Sequence, residues 1–183
     1  IGLLRAQVRL LDNPERRLEL ARSMVSGKIH NARVLLMRRK RTDGSPAFAS
    51  AVDSLKQRRS EAESAESVDV LRGIEGLAAR QYFAAQVAGV RGEWGFVRRQ
   101  KRPALDPINA MLSFGYSLLY SNTVSLLLAA GLHPSIGVYH DVRPGHAALA
   151  SDLCEEFRAP IVDQTIWTLI ARDRVSVDGF DLP

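Results

Sequence analysis

The run "NPERRLELARSMVSGKIHNARVLLMRRKR" at residues 13–41 constrains the fold more than any other stretch, because its apolar residues recur at steps of three and four. Leu18, Ala21, Val25, Ile29, Ala32 and Leu36 share one side of an α-helix but would scatter over both faces of a strand. Asn13 offers a side-chain acceptor to the first free N–H groups, and Pro14 stands where a helix has no use for an N–H. Gly27 weakens the middle without ending it. A long helix is predicted, broken after Arg41 by "TDGSP".

The remaining punctuation is also helical. From Ala47, "AFASAVDSLKQRRSEAESAES" is short of large apolar residues and rich in charge, which predicts a surface helix. Ser67 to Val90 forms a third, ended by Gly89 and Gly92, and a basic loop without a clean period runs on to about Leu105. Asp106 then caps, Pro107 leads and Gly131 stops a helix that is apolar nearly all round. That pattern predicts the central buried helix of a bundle, Asp106 to Ala130. A tight loop carries His133, Pro134 and Gly137 into His140, and two helices follow, Ala147 to Arg158 and Pro160 to Arg172. There is no internal repeat and no strand pattern before the final "RDRVSVDGFDLP". The expected fold class is all-α, a single domain over residues 1–183.

A chain of 183 residues with 46% apolar content can bury a core of its own. It begins at Ile1 and ends on a strand-and-turn pattern, so a piece of a longer protein is expected. Cys154 is the single cysteine and no secretion signal precedes the first helix, which points to a reducing, cytoplasmic setting. The longest apolar window, "LLYSNTVSLLLAAGL", is interrupted by Ser121, Asn122, Thr123 and Ser125, short of the ~18 continuous apolar residues of a membrane span.

Basic residues exceed acidic ones 25 to 20, and the excess is clustered. "MRRKRT" contributes Arg38, Arg39, Lys40 and Arg41; "RRQKRP" contributes Arg98, Arg99, Lys101 and Arg102. Such runs neutralise phosphates, although either alone could be a solvated helix end or loop. Trp94 and Phe96 beside the second run could stack on bases or anchor the loop.

Several carboxylates sit where a fold does not want them. Glu75 shares its helical face with Leu71, Ala78, Ala79 and Tyr82, so it must meet an arginine, take a proton or bind a metal. Asp152, Glu155 and Glu156 crowd one side of a short helix, where like charges repel unless a cation joins them or Arg158 and solvent screen them. His140 closes the buried-looking "IGVY", a place where a histidine is usually a hydrogen-bonded core residue. One imidazole with two or three carboxylates on separate segments is also a set for Mg²⁺ or Mn²⁺, which prefer oxygen. No phosphate-cradling glycine loop, zinc-like cysteine spacing or nucleophile elbow is present, and Cys154 among acids is unsuited to be a thiolate nucleophile. His30, His133 and His146 lack acids at ligand spacing.

Four motifs in order, "GIEGLAARQYF", "RRQKRPALDPINAMLSFGYSLLYS", "GLHPSIGVYH" and "LASDLCEEFRAPIVDQ", resemble the helical catalytic domain of the CRISPR-associated integrase Cas-one (Cas1), and "SGKIHNARVLL" resembles its lead-in. The resemblance implies a metal-dependent endonuclease and integrase that inserts short DNA spacers into a CRISPR array by transesterification. It puts the metal ligands on Glu75, His140 and Glu155, with Asp152 as the supporting acid and Mg²⁺ or Mn²⁺ as cofactor. Glu155 stands where the family has either aspartate or glutamate. Arg38, Arg39, Lys40, Arg41, Arg98, Arg99, Lys101 and Arg102 become candidates for DNA backbone contact, and Tyr82, Tyr116 and Tyr120 neighbours of the site.

The implied partners are double-stranded DNA (protospacer and repeat), a second copy of the chain, the Cas-two (Cas2) subunit and a Cas-four-type (Cas4) processing nuclease, with no membrane. The family's N-terminal β domain, which mediates its dimer, and its last helices are not in this sequence. Two rivals stand beside this reading: a helical DNA-binding or scaffold module whose acids only make salt bridges, and a general metal-dependent repair nuclease.

Overall fold

The computed structural model describes residues 2–43 and 45–181. The expectations that touch Ile1, Gly44 and the last two positions lie outside the described residues. Among the described residues there are seven α-helices: α1 (Gly2–Leu11), α2 (Pro14–Asp43), α3 (Pro46–Glu63), α4 (Val68–Ala88), α5 (Pro107–Ala129), α6 (Ala148–Phe157) and α7 (Gln164–Ala171). Among the described residues there is no strand, so the all-α expectation holds, and the terminal residues to Asp181 form only a short turn at Val177–Gly179. No helix among them is long and apolar enough to cross a membrane.

The helix starts follow their caps. Arg16 N–H donates to Asn13 Oδ1 at 3.0 Å, Val70 N–H to Ser67 Oγ at 3.2 Å and Asn109 N–H to Asp106 Oδ1 at 2.8 Å. α5 stops at Gly131, whose φ of +74° lets Leu132 N–H return to Leu127 O and Gly131 N–H to Leu128 O. Helix α1 carries no expectation from the sequence; it is tied down by Gln7, whose side chain donates to and accepts from the His133 backbone.

The central element is α2, not the helix Asp106 to Ala130. α2 packs against α3, α4, α6 and the turn after α6, and Ala21, Val25, Ile29 and Leu36 on its stripe are buried. α5 is apolar all round yet much of it is uncovered in this chain: Phe114 is 67% and Leu126 71% exposed, while Ile108 and Leu112 near its start are fully buried. α3 also departs from expectation. Its few large apolar residues, Phe48, Val52 and Leu55, all point at α2 and α4, each contributing about 1.5–3 kcal/mol by leaving water.

The second half is not two helices broken at Pro160. Arg158–Asp163 forms a wide π turn that joins α6 to α7 without interruption. In an α-helix the N–H of residue 160 would serve the carbonyl of Glu156; proline has none, and Asn31 Nδ2 of α2 donates to that carbonyl at 2.8 Å. Gly27, on the same face of α2, makes room for the Glu156 side chain, which a Cβ there would strike. The glycine thus serves the α2–α6 approach.

Candidate active site

Three elements converge on the side of α2 opposite Gly27. α4 brings Glu75, α6 brings Asp152 and Glu155, and the loop before α6 brings His140. Glu75, His140 and Glu155 line a cleft of about 710 Å³ together with Lys28 of α2, and Asp152 is buried outside it.

Lys28 sits between the two glutamates. Its ammonium pairs with Glu75 Oε1 and lies 2.5 Å from Glu155 Oε2, while Arg158, one turn along from Glu155, pairs with the other Glu155 oxygen. Burial alone would push the Lys28 pKa down, but the charges of Glu155 and Glu75 outweigh it and hold it above the ordinary lysine value. Burial would likewise raise Glu155, only 5% exposed; Lys28 and Arg158 prevail and hold it below the usual carboxylate range.

Asp152 does different work. Its side chain is fully buried and receives four donors: Val138 N–H at 2.7 Å, Tyr139 N–H at 3.1 Å, His140 N–H at 2.8 Å and the His140 ring Nδ1 at 2.7 Å. Arg17 Nε grips Val138 O at 2.7 Å and Arg72 Nη2 grips Tyr139 O at 3.1 Å, so this three-residue strap is held by its N–H groups on one side and its carbonyls on the other. Gly137 permits it, since a Cβ there would meet Asp152 Oδ2 at 2.7 Å and the Ala148 backbone at 2.8 Å. Asp152 can only accept, so Nδ1 is the donor in this bond and Nε2 is turned away from the acid, the nitrogen a ligating histidine presents to a metal.

Behind the acids lies a second buried group. Tyr82 and Tyr116 each donate a hydroxyl to Asp163 at 2.6 Å, and burial pushes the Asp163 carboxyl up to about 6. Burial also raises both tyrosines well above their usual range. Arg99 and Arg158 lie over the Tyr116 ring, 5.4 and 5.1 Å from its centroid. Tyr120 is structural, its hydroxyl accepting Ala147 N–H at the start of α6.

The basic runs part company. Arg98, Arg99 and Lys101 line the cleft with the acids, and Arg102 is exposed nearby in sequence. Burial lowers Arg99, which donates to Gln100 O, Asn109 Oδ1 and Ser113 Oγ and so fixes its own loop. Burial and the charge of Arg158 lower Lys101. The first run lies elsewhere: Arg38 donates to Gln164 Oε1 at 2.6 Å, and Lys40 and Arg41 are exposed at the end of α2. Arg39 is engaged within the fold. Its guanidinium lies 4.9 Å from the Phe48 ring centroid and 4.8 Å from that of Trp167, and it donates to Gln86 and to Gly89 O. Trp94 and Phe96 are buried, Phe96 against Trp167, so they anchor the loop and are not free to stack on bases.

Sequence reasoning named Arg158 as a screen for the acids of α6, and it does pair with Glu155, but it missed Lys28 and Asp163 as parts of this site. Of these two, Lys28 left a trace, as a charge bordering the apolar stripe of α2 on the motif "SGKIHNARVLL".

Among the described residues no three of His, Cys, Asp and Glu stand together at ligand distance. The donor set nonetheless suits a hard divalent cation: two carboxylates from separate helices already share one cation, and an oriented imidazole with an available Nε2 lines the same cleft.

Residues 1–182 match the family described as CRISPR associated protein Cas1. The chain belongs to the Cas1 family. It is 38% identical to a Methanospirillum hungatei protein named CRISPR-associated endonuclease Cas1 1, over 92% of this chain and 51% of that protein. A Leptospira interrogans relative, named CRISPR-associated endonuclease Cas1, is 37% identical over 96% of this chain and 72% of its own length. A Rhodospirillum rubrum relative named as a Cas4 exonuclease/Cas1 endonuclease fusion is 40% identical over 96% of this chain and 31% of its own.

Solved structures agree with the fold. A Cas1 protein from Thermotoga maritima gives a TM-score of 0.87 at 30% identity, covering 99% of this chain and 56% of that one. A chain of a Cas6-RT-Cas1–Cas2 complex gives 0.87 at 31% identity over 97% of this chain and 19% of that one. A casposase bound to an integration product gives 0.81 at 28% identity, over 96% and 49%. This Cas1-family chain spans about half the length of the Methanospirillum and Thermotoga proteins.

Proposed function

We propose that this chain is the helical catalytic domain of a divalent-metal-dependent DNA endonuclease and integrase that inserts short spacers into a CRISPR array. The observation that carries the reading is the convergence of Glu75 and Glu155 on one cation, in a cleft walled by Arg98, Arg99 and Lys101. A scaffold that merely needed salt bridges has no cause to pair an oriented imidazole with two carboxylates beside a phosphate-binding wall.

Glu75, Glu155 and His140 Nε2 would hold Mg²⁺ or Mn²⁺, and Asp152 would keep His140 in the right tautomer. When bound, such an ion supplies a fixed positive charge beside a phosphoryl group. The 3′-hydroxyl of incoming DNA attacks a phosphodiester at the repeat boundary, giving up its proton to solvent; one P–O bond forms as another breaks, and the departing 3′-oxygen leaves with the electron pair and takes up a proton from solvent. No covalent bond to the protein is needed. Arg98, Lys101 and Arg102 hold the DNA backbone near the cleft; Arg38, Lys40 and Arg41 bind it at a second place.

The partners proposed are double-stranded protospacer and repeat DNA, a second copy of the chain, a Cas2 subunit and a Cas4-type processing nuclease, in the cytoplasm. The support is that relatives are found in a Cas1–Cas2 complex, as a Cas4/Cas1 fusion and on an integration product.

The test is a calorimetric Mn²⁺ titration beside Glu75→Ala, His140→Ala and Glu155→Ala, with circular dichroism on each. One ion bound by the wild type and lost by every folded variant is expected, followed by strand transfer on array DNA. Equal binding by wild type and variants refutes the assignment, and plain hydrolysis as the main product favours the repair nuclease.

A further inference from the structure

The cation shared by Glu75 and Glu155 is not a metal but the head of Lys28, and it stands in the space a metal needs. Mg²⁺ binds carboxylate oxygen at about 2.0–2.1 Å. An ammonium 2.5 Å from Glu155 Oε2 and paired with Glu75 Oε1 leaves no room for a second cation on the same oxygens. Two like charges brought together on α4 and α6 and largely withdrawn from water also require a counter-charge whenever no metal is bound.

We propose that Lys28 is a resident counter-ion which a divalent cation must displace, so that it lowers the metal affinity of the site while holding Glu75 and Glu155 together in the metal's absence. The inference rests on the proposed metal reading and deepens it. Three features suit the lysine to this position. It comes from α2, the most heavily packed helix, so its Cα is fixed between Val25 and Ile29 while its head sits on a stem of four rotatable carbons. Its ammonium makes its two contacts to the two glutamates alone, so leaving them breaks nothing else among the interactions described. Arg158 stays on Glu155 by its own contact, which keeps that carboxylate oriented after the lysine has moved.

A merely structural lysine makes the opposite prediction to a competing one. If Lys28 only shapes the site, its removal weakens metal binding; if it competes for the same oxygens, removal strengthens it. Mn²⁺ calorimetry on wild type, Lys28→Gln and Lys28→Arg separates the two. Lys28→Gln is expected to bind roughly tenfold tighter or more, and Lys28→Arg, which keeps the charge, no tighter than wild type. A folded Lys28→Gln that binds equally or more weakly, beside a wild type that binds, overturns the inference and leaves the metal reading standing. If neither protein binds Mn²⁺, both fall. A measurement on unsubstituted protein guards against a variant that does not fold: amine acylation read by mass spectrometry should label Lys28 several-fold faster at saturating Mg²⁺ than without it. Unchanged labelling at saturation overturns the displacement.

Discussion

Replacing Asp152 by asparagine removes one acceptor atom from a place where four donors converge. In the native chain both carboxylate oxygens are in use: Oδ2 takes Val138 and Tyr139 N–H, Oδ1 takes the backbone and ring donors of His140. An amide can keep one oxygen and must turn its NH₂ towards the other pair of donors. Two N–H groups are then left facing a donor, at about 1–3 kcal/mol each, and relaxation of the half-exposed His140 ring reduces the total to roughly 2–4 kcal/mol. At about 2–4 °C per kcal/mol for a chain of this size, the thermal midpoint should fall by roughly 5–15 °C. Scanning calorimetry of Asp152→Asn beside His140→Ala measures this. His140→Ala should lose less, because the three backbone bonds to Asp152 survive it. A midpoint for Asp152→Asn within about 1 °C of wild type, or a larger loss for His140→Ala, would refute the reading that Asp152 builds the strap and only through it orients the imidazole.

Two further expectations concern stability. Burial raises Asp163 to about 6 from an ordinary value of 3.8, so the folded protein holds this proton where the unfolded chain has released it. Stability therefore falls as pH rises from about 4 through 6, by roughly 3 kcal/mol, and Asp163→Asn should show a flatter profile than wild type over that window when melting midpoints are compared. Arg39→Ala, by emptying the space between Phe48 and Trp167, should destabilise by about 2–4 kcal/mol. Lys40→Ala and Arg41→Ala should leave the midpoint unchanged while weakening DNA binding more at low salt than at high, as fluorescence anisotropy would show.

What could be read in the sequence was what depends on near neighbours. Asn13 and Asp106 cap helices because a cap needs only the next three residues, and Glu75 was conspicuous because its own helical face is apolar. The centre of the bundle was not legible. A helix that is apolar all round reads as buried, yet Phe114 and Leu126 are uncovered, and nothing local says what lies over a residue. Lys28 was hidden for a related reason: a lysine beside an apolar stripe ordinarily extends its head into water, and only the arrival of α4 and α6 turns it inward. Asp152 was expected to support the site, but the three amides it binds belong to a loop without periodicity. Pro160 misled outright, since a proline that opens a helix and one that sits in a π turn have the same neighbours.

That π turn has a consequence for which changes the chain can accept. Residues five apart on an α-helix point about 140° away from each other, whereas a turn closed from i to i+5 brings them nearly into line. Arg158 over Tyr116 and Asp163 beneath the hydroxyls of Tyr82 and Tyr116 depend on that one additional residue per turn. Deleting one residue from 158–163 closes the π turn to ordinary helical spacing and leaves α7, with Trp167 against Arg39, in place; what is lost is the local widening that sets Arg158 over Tyr116. Pro160 and Ile161 face solvent and can vary in kind. A one-residue change in length is therefore absorbed between Phe157 and Gln164, whereas the same change in a regular stretch of helix turns everything that follows by about 100°.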